Sequence, residues 1–206
     1  GYEQWGVDLL QRVRGMFTFV IWDKNKQELF GARDHFGIKP FYYAKMNGTF
    51  MYASEIKSLL RHPDFVKELN AEALKPYMTF QYPAIGETFF KGVYKLPEGH
   101  YFTYRDGKMD IHRYYDEDFR EGKQKLGELV NSIDQTVCDS VKAHQIADVE
   151  VGSFLSSGVD SSYVAAVARP QHTYSIGFGK GTYNESQQAG ELAELLKLNN
   201  TAESLT

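Results

Sequence analysis

Apolar and polar residues follow two different rhythms along the chain, and the change falls near residue 120. Before it, short apolar and aromatic runs are separated by turn residues. Phe17–Trp22, Leu29–Ala32 and Phe41–Ala44 have the β-branched and aromatic character of strands. Asn47-Gly48 lies between Tyr43-Ala44 and Phe50-Met51-Tyr52, a hairpin signal, because both central positions of a type I′ turn take positive φ. Tyr101–Tyr104 and Ile111–Tyr114 flank Arg105-Asp106-Gly107 and predict a second hairpin. Three helices are expected here. One runs from Trp5 to Arg14 with Leu9, Leu10 and Val13 on one face and Gly15 as its stop; a short one is capped by Ser54 and reaches Leu60 before Pro63; the third spans Ala71 to about Phe80 behind an Asn70 cap. Residues 81–99 read mostly as loop. Short strands joined by tight turns predict an antiparallel sheet.

Asp116 to Lys125 is almost wholly charged or polar, and this composition shift marks a domain boundary, with residues 1–118 on one side and 119–206 on the other. Beyond it, Leu126, Leu129, Val130, Ile133, Val137 and Val141 recur at three and four residues, as on one side of a helix. A largely apolar strand, Val149–Leu155, then enters a Ser/Gly turn and a helix through Val164–Ala168 that ends near Pro170. Thr173–Gly177 is a second strand, and Leu192, Leu195 and Leu196 stripe a further helix with Leu198 just beyond it. Helices alternating with strands imply parallel pairing through crossovers, an α/β layer unlike the first half.

Composition narrows the classes of function. With 42% hydrophobic and 15% aromatic residues the chain can bury a core. A net charge of −4 gives no basic footprint for DNA or RNA, so the tyrosine-rich stretches read as sheet core rather than a base-stacking platform. The single cysteine, Cys138, excludes an internal disulfide and suits a reducing, cytoplasmic location. No run approaches the roughly 18 apolar residues of a membrane span, and no signal-peptide pattern opens the chain. The chain does not begin with Met, and it is expected to be part of a longer protein. His35 and His100 lie beside turn residues without the spacing of a zinc site.

The candidate chemistry lies at the junction Leu155-Ser156-Ser157-Gly158-Val159-Asp160-Ser161-Ser162. Strand-to-helix joints hold anions, because unpaired N–H groups and the positive end of the helix dipole face the loop. The plain alternative is turn and capping chemistry, for which Ser, Gly and Asp serve in any α/β protein. Four hydroxyls around one glycine exceed that need. Asp160 puts a carboxylate where phosphate would sit, an arrangement that calls for a bridging cation such as Mg²⁺. The loop lacks the Gly-Lys-Ser/Thr ending of a Walker P-loop, so transfer of a γ-phosphate is not required.

Ser156–Ser162 resembles the Ser-Gly-Gly-hydrophobic-Asp-Ser-Ser pyrophosphate loop of ATP pyrophosphatases, and its approach, Ala147–Leu155, is similar to that of glutamine-hydrolysing asparagine synthetases. Arg14–Asp23, Ala32–Tyr43 and Tyr52–Leu59 are similar to the later part of that family's glutaminase domain, and Leu96–His100 to the segment closing it. The resemblance implies the C-terminal part of an N-terminal-nucleophile antiparallel αββα glutaminase domain (residues 1–118), followed by the start of a parallel-sheet α/β ATP-pyrophosphatase domain (residues 119–206). It implies an enzyme that amidates aspartate through a β-aspartyl-AMP intermediate, taking ammonia from glutamine and releasing AMP and pyrophosphate. ATP and Mg²⁺ would be needed, aspartate and glutamine would be the other partners, and monomer and homodimer both stay open.

Carried over by position, Ser156, Ser157, Gly158, Val159, Asp160, Ser161 and Ser162 match the pyrophosphate loop, Asp160 matches the magnesium ligand, and Leu155 and Ile176 match positions lining the adenosine pocket, where parallel-strand core is the competing role. Ser157 stands where the family usually has glycine; if the position needs positive φ, serine costs about 1 kcal/mol there. No catalytic nucleophile is assigned. The family's nucleophile is an N-terminal cysteine, whereas this chain starts at Gly1 and Cys138 lies in the periodic helix. Arg33, Asp34 and Glu55 are expected to hydrogen-bond and pack. The alternatives are a sibling such as a β-lactam synthetase, or a non-catalytic fragment.

Overall fold

At the Asn47-Gly48 turn φ is 50° and 83°, and at Asp106-Gly107 it is 51° and 76°, the left-handed pairs that join twisted antiparallel strands without splaying them. In the computed structural model, which describes residues 1–82, 85–178 and 185–205, the chain falls into two units, Gly1–Phe119 and Arg120–Thr206. The first unit runs α1 (Tyr2–Trp5), a 3₁₀ turn (Gly6–Gln11), β1 (Thr18–Asp23), β2 (Glu28–Arg33), β3 (Tyr42–Met46), β4 (Thr49–Ala53), α2 (Ile56–Leu59), a 3₁₀ turn (Ala71–Ala73), α3 (Leu74–Phe80), β5 (Val93–Lys95), β6 (His100–Arg105) and β7 (Lys108–Arg113). Two antiparallel sheets form, of order β1-β2-β6-β7 and β4-β3-β5.

Strand alternation gives each sheet two apolar faces, and the layers follow from it. Phe30 and Ala32 of the larger sheet, with Phe19, Ile21 and Tyr101, pack against Leu10 and Tyr2. Its opposite face offers Val20, Leu29, Phe102, Tyr104 and Met109 to Phe41, Tyr43 and Phe50 of the second sheet's side. That sheet's outer face, Ala44, Met51 and Val93, is covered by Leu59 and Ile56 of α2 with Phe65 and Phe90.

Gly31 gives room to the Phe102 ring within the larger sheet. It pairs with Phe102, and a Cβ there would lie 2.5 Å from Phe102 Cζ. Gly31→Ala is therefore expected to destabilise by about 1–3 kcal/mol through overpacking. The check is a lower urea midpoint at unchanged slope, which separates lost stability from a changed unfolded state.

Several local expectations shift. The first helix starts at Tyr2 and ends early, because Gly6 at φ 55° breaks it and the chain continues as a 3₁₀ turn. The short helix after β4 is capped by Glu55, not Ser54, and without a side-chain bond. Asn70 does cap as its chemistry requires, its side chain accepting from the Glu72 N–H, but the first turn is 3₁₀ before α3 begins. Pro76 is the third residue of α3, where a missing N–H is harmless. Within 81–99, β5 pairs with β3 and bridges join Leu69 to Phe90 and Glu87 to Tyr94, so this stretch is partly sheet; Pro83 lies outside the described residues.

The second unit runs α4 (Leu126–His144), β8 (Ser153–Phe154), α5 (Val159–Ala168), β9 (His172–Phe178), α6 (Ser186–Leu196) and β10 (Asn199–Leu205). The strands are parallel in the order β10-β9-β8, with Phe154 opposite Tyr174 and Thr201 opposite Tyr174 on the other side. Leu155, Ala165, Ala189 and Ala193 form the core, with Leu192 and Leu198 against it. Of the expected strand Val149–Leu155, only Ser153–Phe154 pairs, and β10 adds a strand that the apolar pattern does not predict. No helix among the described residues is long and apolar enough to cross a membrane.

Candidate functional site

The serine loop leaves the sheet from a residue pinned on both sides. The Leu155 N–H donates to the Tyr174 carbonyl at 2.8 Å, and its own carbonyl accepts from Ser175 Oγ at 2.8 Å. Its side chain is buried in the core. From there the loop is tied by its own hydroxyls. Ser156 Oγ and Ser161 Oγ are 2.8 Å apart, the Ser156 N–H donates to Ser161 Oγ at 3.2 Å, and the Gly158 N–H donates to Ser156 Oγ at 3.1 Å. Two of the four expected hydroxyls thus form the frame. Ser157, Gly158, Val159 and Asp160 make the exposed rim, and Ser162 is half-buried.

Gly158 is the N-cap of α5, at φ −71° and ψ 148°. The first helical bond is that from the Ser162 N–H to the Gly158 carbonyl, at 3.1 Å. The N–H groups of residues 159, 160 and 161 therefore precede the i to i−4 ladder and face out of the helix end. A bound anion would meet them together with the positive end of the dipole. Ser157 is not in the left-handed region, so no strain attaches to serine there. Gly158 acts through space, not through φ: a Cβ would stand 3.2 Å from Ser156 Oγ, crowding the hydroxyl that accepts from Gly158 itself.

Asp160 lies in the first turn of α5 and is exposed. No group of three or more His, Cys, Asp or Glu among the described residues could hold a metal ion by itself. One carboxylate beside a phosphate cradle fits magnesium, which binds through one or two carboxylates, phosphate oxygens and water. It does not fit a metal held by protein alone. Ile176 lies two residues beyond Tyr174, level with Ser156 in the parallel register, and with Tyr174 and Phe178 it stands on the exposed face of β9.

Other candidates resolve into structure. Cys138 is half-buried, with Sγ 3.9 Å from Asp134 Oδ1. Asp134 also accepts from Tyr163, whose phenol is pushed up to about 12, chiefly by that hydrogen bond. His35 is ringed by Phe17, Tyr114 and Tyr115, and His100 Nδ1 is 2.7 Å from the Glu98 carbonyl. Arg33 donates to the carbonyls of Lys39, Leu96 and Gly37, while Glu55 pairs with Lys57 at the surface. Sequence reasoning missed Thr173, Ser175 and Asn200, which join the strands behind the loop. The small residues Thr173, Ser175 and Gly177 at every second position were the available signal, since they share the buried face of β9.

Residues 1–115 match the glutamine amidotransferase domain family, and residues 132–206 match the asparagine synthase family. The chain is 39% identical over 204 residues to asparagine synthetase [glutamine-hydrolyzing] 1 of Bacillus subtilis, covering 97% of this chain and 32% of that protein. It is 32% identical over 189 residues to asparagine synthetase [glutamine-hydrolyzing] 3 of the same organism, covering 86% of this chain and 30% of that protein. Among solved structures, the B. subtilis glutamine phosphoribosylpyrophosphate amidotransferase complexed with ADP and GMP aligns with a TM-score of 0.33 at 14% identity, over 95% of this chain and 34% of that one. The chain spans about a third of the length of the curated relatives it matches.

Proposed function

The chain belongs to the glutamine-hydrolysing asparagine synthetase family, in which an amidotransferase segment is followed by an asparagine synthase segment, and we propose that the whole protein makes asparagine from aspartate, ATP and glutamine. On this reading residues 1–118 are the C-terminal part of a type 2 glutamine amidotransferase domain of the N-terminal-nucleophile kind. The sheet-on-sheet packing between α1 and α2 supports it. Residues 119–206 open an ATP-pyrophosphatase domain. One observation carries this part: a hydroxyl-framed loop at the carboxyl end of a parallel strand opens α5 with a carboxylate in its first turn, the place where open α/β sheets bind ligands.

The chemistry fits the loop. A carboxylate is a poor electrophile until adenylation supplies a leaving group; ammonia then attacks the β-aspartyl-AMP to give asparagine and AMP. Pyrophosphate is the first product, and its charge would be met by the N–H groups of Val159, Asp160 and Ser161 and by the hydroxyls of Ser157 and Ser162. Ser156 and Ser161 hold those groups in place. Asp160 would hold Mg²⁺, which supplies charge neutralisation on the departing pyrophosphate. Ile176, exposed and level with the loop's start, would line the adenosine site, with Leu155 as its buried root. On this reading the protein works in the cytoplasm on small molecules; a single cysteine, as suits a reducing compartment, and an acidic balance without a basic footprint support it.

Exchange of radiolabelled pyrophosphate into ATP tests the proposal. The whole protein is expected to catalyse it only with aspartate and magnesium both present, and chelation of the metal should abolish it. Exchange driven by a different acid would move the assignment to a sibling such as a β-lactam synthetase. Absence of exchange under all acids would reject it.

A further inference from the structure

Two hydroxyls on the buried face of β9 make four close polar contacts with only two protons between them. Thr173 Oγ1 lies 3.1 Å from the Asn199 carbonyl and 3.0 Å from the Asn200 side-chain amide. Ser175 Oγ lies 2.8 Å from the Leu155 carbonyl and 3.1 Å from the same amide atom. A hydroxyl donates one hydrogen bond. Were that atom the Asn200 oxygen, each hydroxyl would face two acceptors with one proton, leaving two close oxygen–oxygen contacts with no proton between them beside side chains that are 0% and 3% exposed, a costly arrangement where water is excluded. Turning the amide over resolves the count, because its oxygen and nitrogen are nearly interchangeable in shape and its NH₂ carries two protons. Asn200 then donates to both hydroxyls, Thr173 to Asn199, and Ser175 to Leu155.

We propose that this relay makes Ser175 a positioning residue for ATP, fixing the root of the serine loop from two strands away. The proposal rests on the reading of that loop as the nucleotide site. Leu155 is the last residue before the loop, and its carbonyl belongs to the peptide that supplies the Ser156 N–H, which donates to Ser161 Oγ. A shift at the Leu155 carbonyl therefore turns the first peptide of the loop and, through Ser156 and Ser161, its hydroxyl frame. Within the sheet, β9 lies between β10 and β8, and Asn200 and Ser175 are the two steps across it. Ser175 itself stays in the core.

The test uses the whole protein. Ser175→Ala is expected to raise KM for ATP roughly tenfold, the size of one lost buried hydrogen bond, while glutamine hydrolysis keeps its kcat; Ser175→Thr, which retains the hydroxyl, should restore most of the loss. A merely structural role would lower thermal stability and both activities together without moving the ATP KM. An unchanged ATP KM in Ser175→Ala, or a parallel loss of both activities, overturns the proposal. A second measurement reads the wild-type protein directly. By NMR, the Asn200 side-chain NH₂ resonances, assigned through bonds to their own Cβ and backbone, should exchange slowly with solvent; rapid exchange would refute the relay. A wild-type protein that shows no aspartate-dependent exchange rejects the proposed function instead, and the NH₂ protection then still decides the relay.

Discussion

Asp160→Asn is expected to lower aspartate-dependent ATP–pyrophosphate exchange by about a hundredfold or more, the scale on which removal of one charge-stabilising group acts. The fold should survive it. Asp160 is exposed at the loop's rim, and the bonds that frame the loop come from Ser156, Gly158 and Ser161. Asparagine keeps the size of the side chain and loses only its favourable charge at the helix N-terminus, worth about 0.3–1 kcal/mol. A thermal scan should therefore show a small shift beside a large kinetic one. If the asparagine variant exchanged at the wild-type rate, the carboxylate would have no part in holding magnesium.

That separation between frame and rim was only half legible in the sequence. The loop's place was legible, because an apolar run entering Ser and Gly residues before a helix former is local information. The division of labour among its serines was not: the Ser156–Ser161 pairing depends on how the chain folds back over five residues. The two hairpins were legible for a like reason, since Asn47-Gly48 and Asp106-Gly107 meet a backbone requirement that few other pairs satisfy.

What escaped depends on distant partners. The strand Asn199–Leu205 is polar apart from Ala202 and Leu205, and its conformation comes from pairing residue by residue with β9, not from any period of its own. The strand Val93–Lys95 is three residues long and is held by β3. Conversely, the first helix was overextended because Leu9, Leu10 and Val13 do fall on one helical face. The positive φ of Gly6 overrides that spacing. The relay through Asn200 was beyond reach, since it needs the strand order before its proton count can be made.

Arg33→Met is expected to destabilise the first unit by about 3–5 kcal/mol, more than any other single change considered, because it leaves buried polar groups without their donor. Arg33 is only 2% exposed. It donates to the Lys39 carbonyl at 2.8 Å, to Leu96 at 2.6 Å and to Gly37, drawing the loop after β2 against the segment that precedes β6. Asp34 completes the same loop by accepting from the N–H groups of Phe36 at 3.2 Å, Ile38 at 3.0 Å and Lys39 at 2.9 Å. Burial pushes the Asp34 carboxyl up, but those three donors and the Arg33 charge together hold it below its ordinary value. A carboxyl depressed in the folded state stabilises above its unfolded pKa of roughly 3.9 and loses that contribution as pH falls through the folded value. Two effects should then be seen in urea unfolding. At neutral pH the Arg33→Met midpoint should drop sharply. As pH falls below about 4 the wild type should lose stability more steeply than Asp34→Asn, which has no proton to take up. A neutral-pH midpoint for Arg33→Met equal to the wild type would show that solvent, rather than Arg33, satisfies the three carbonyls.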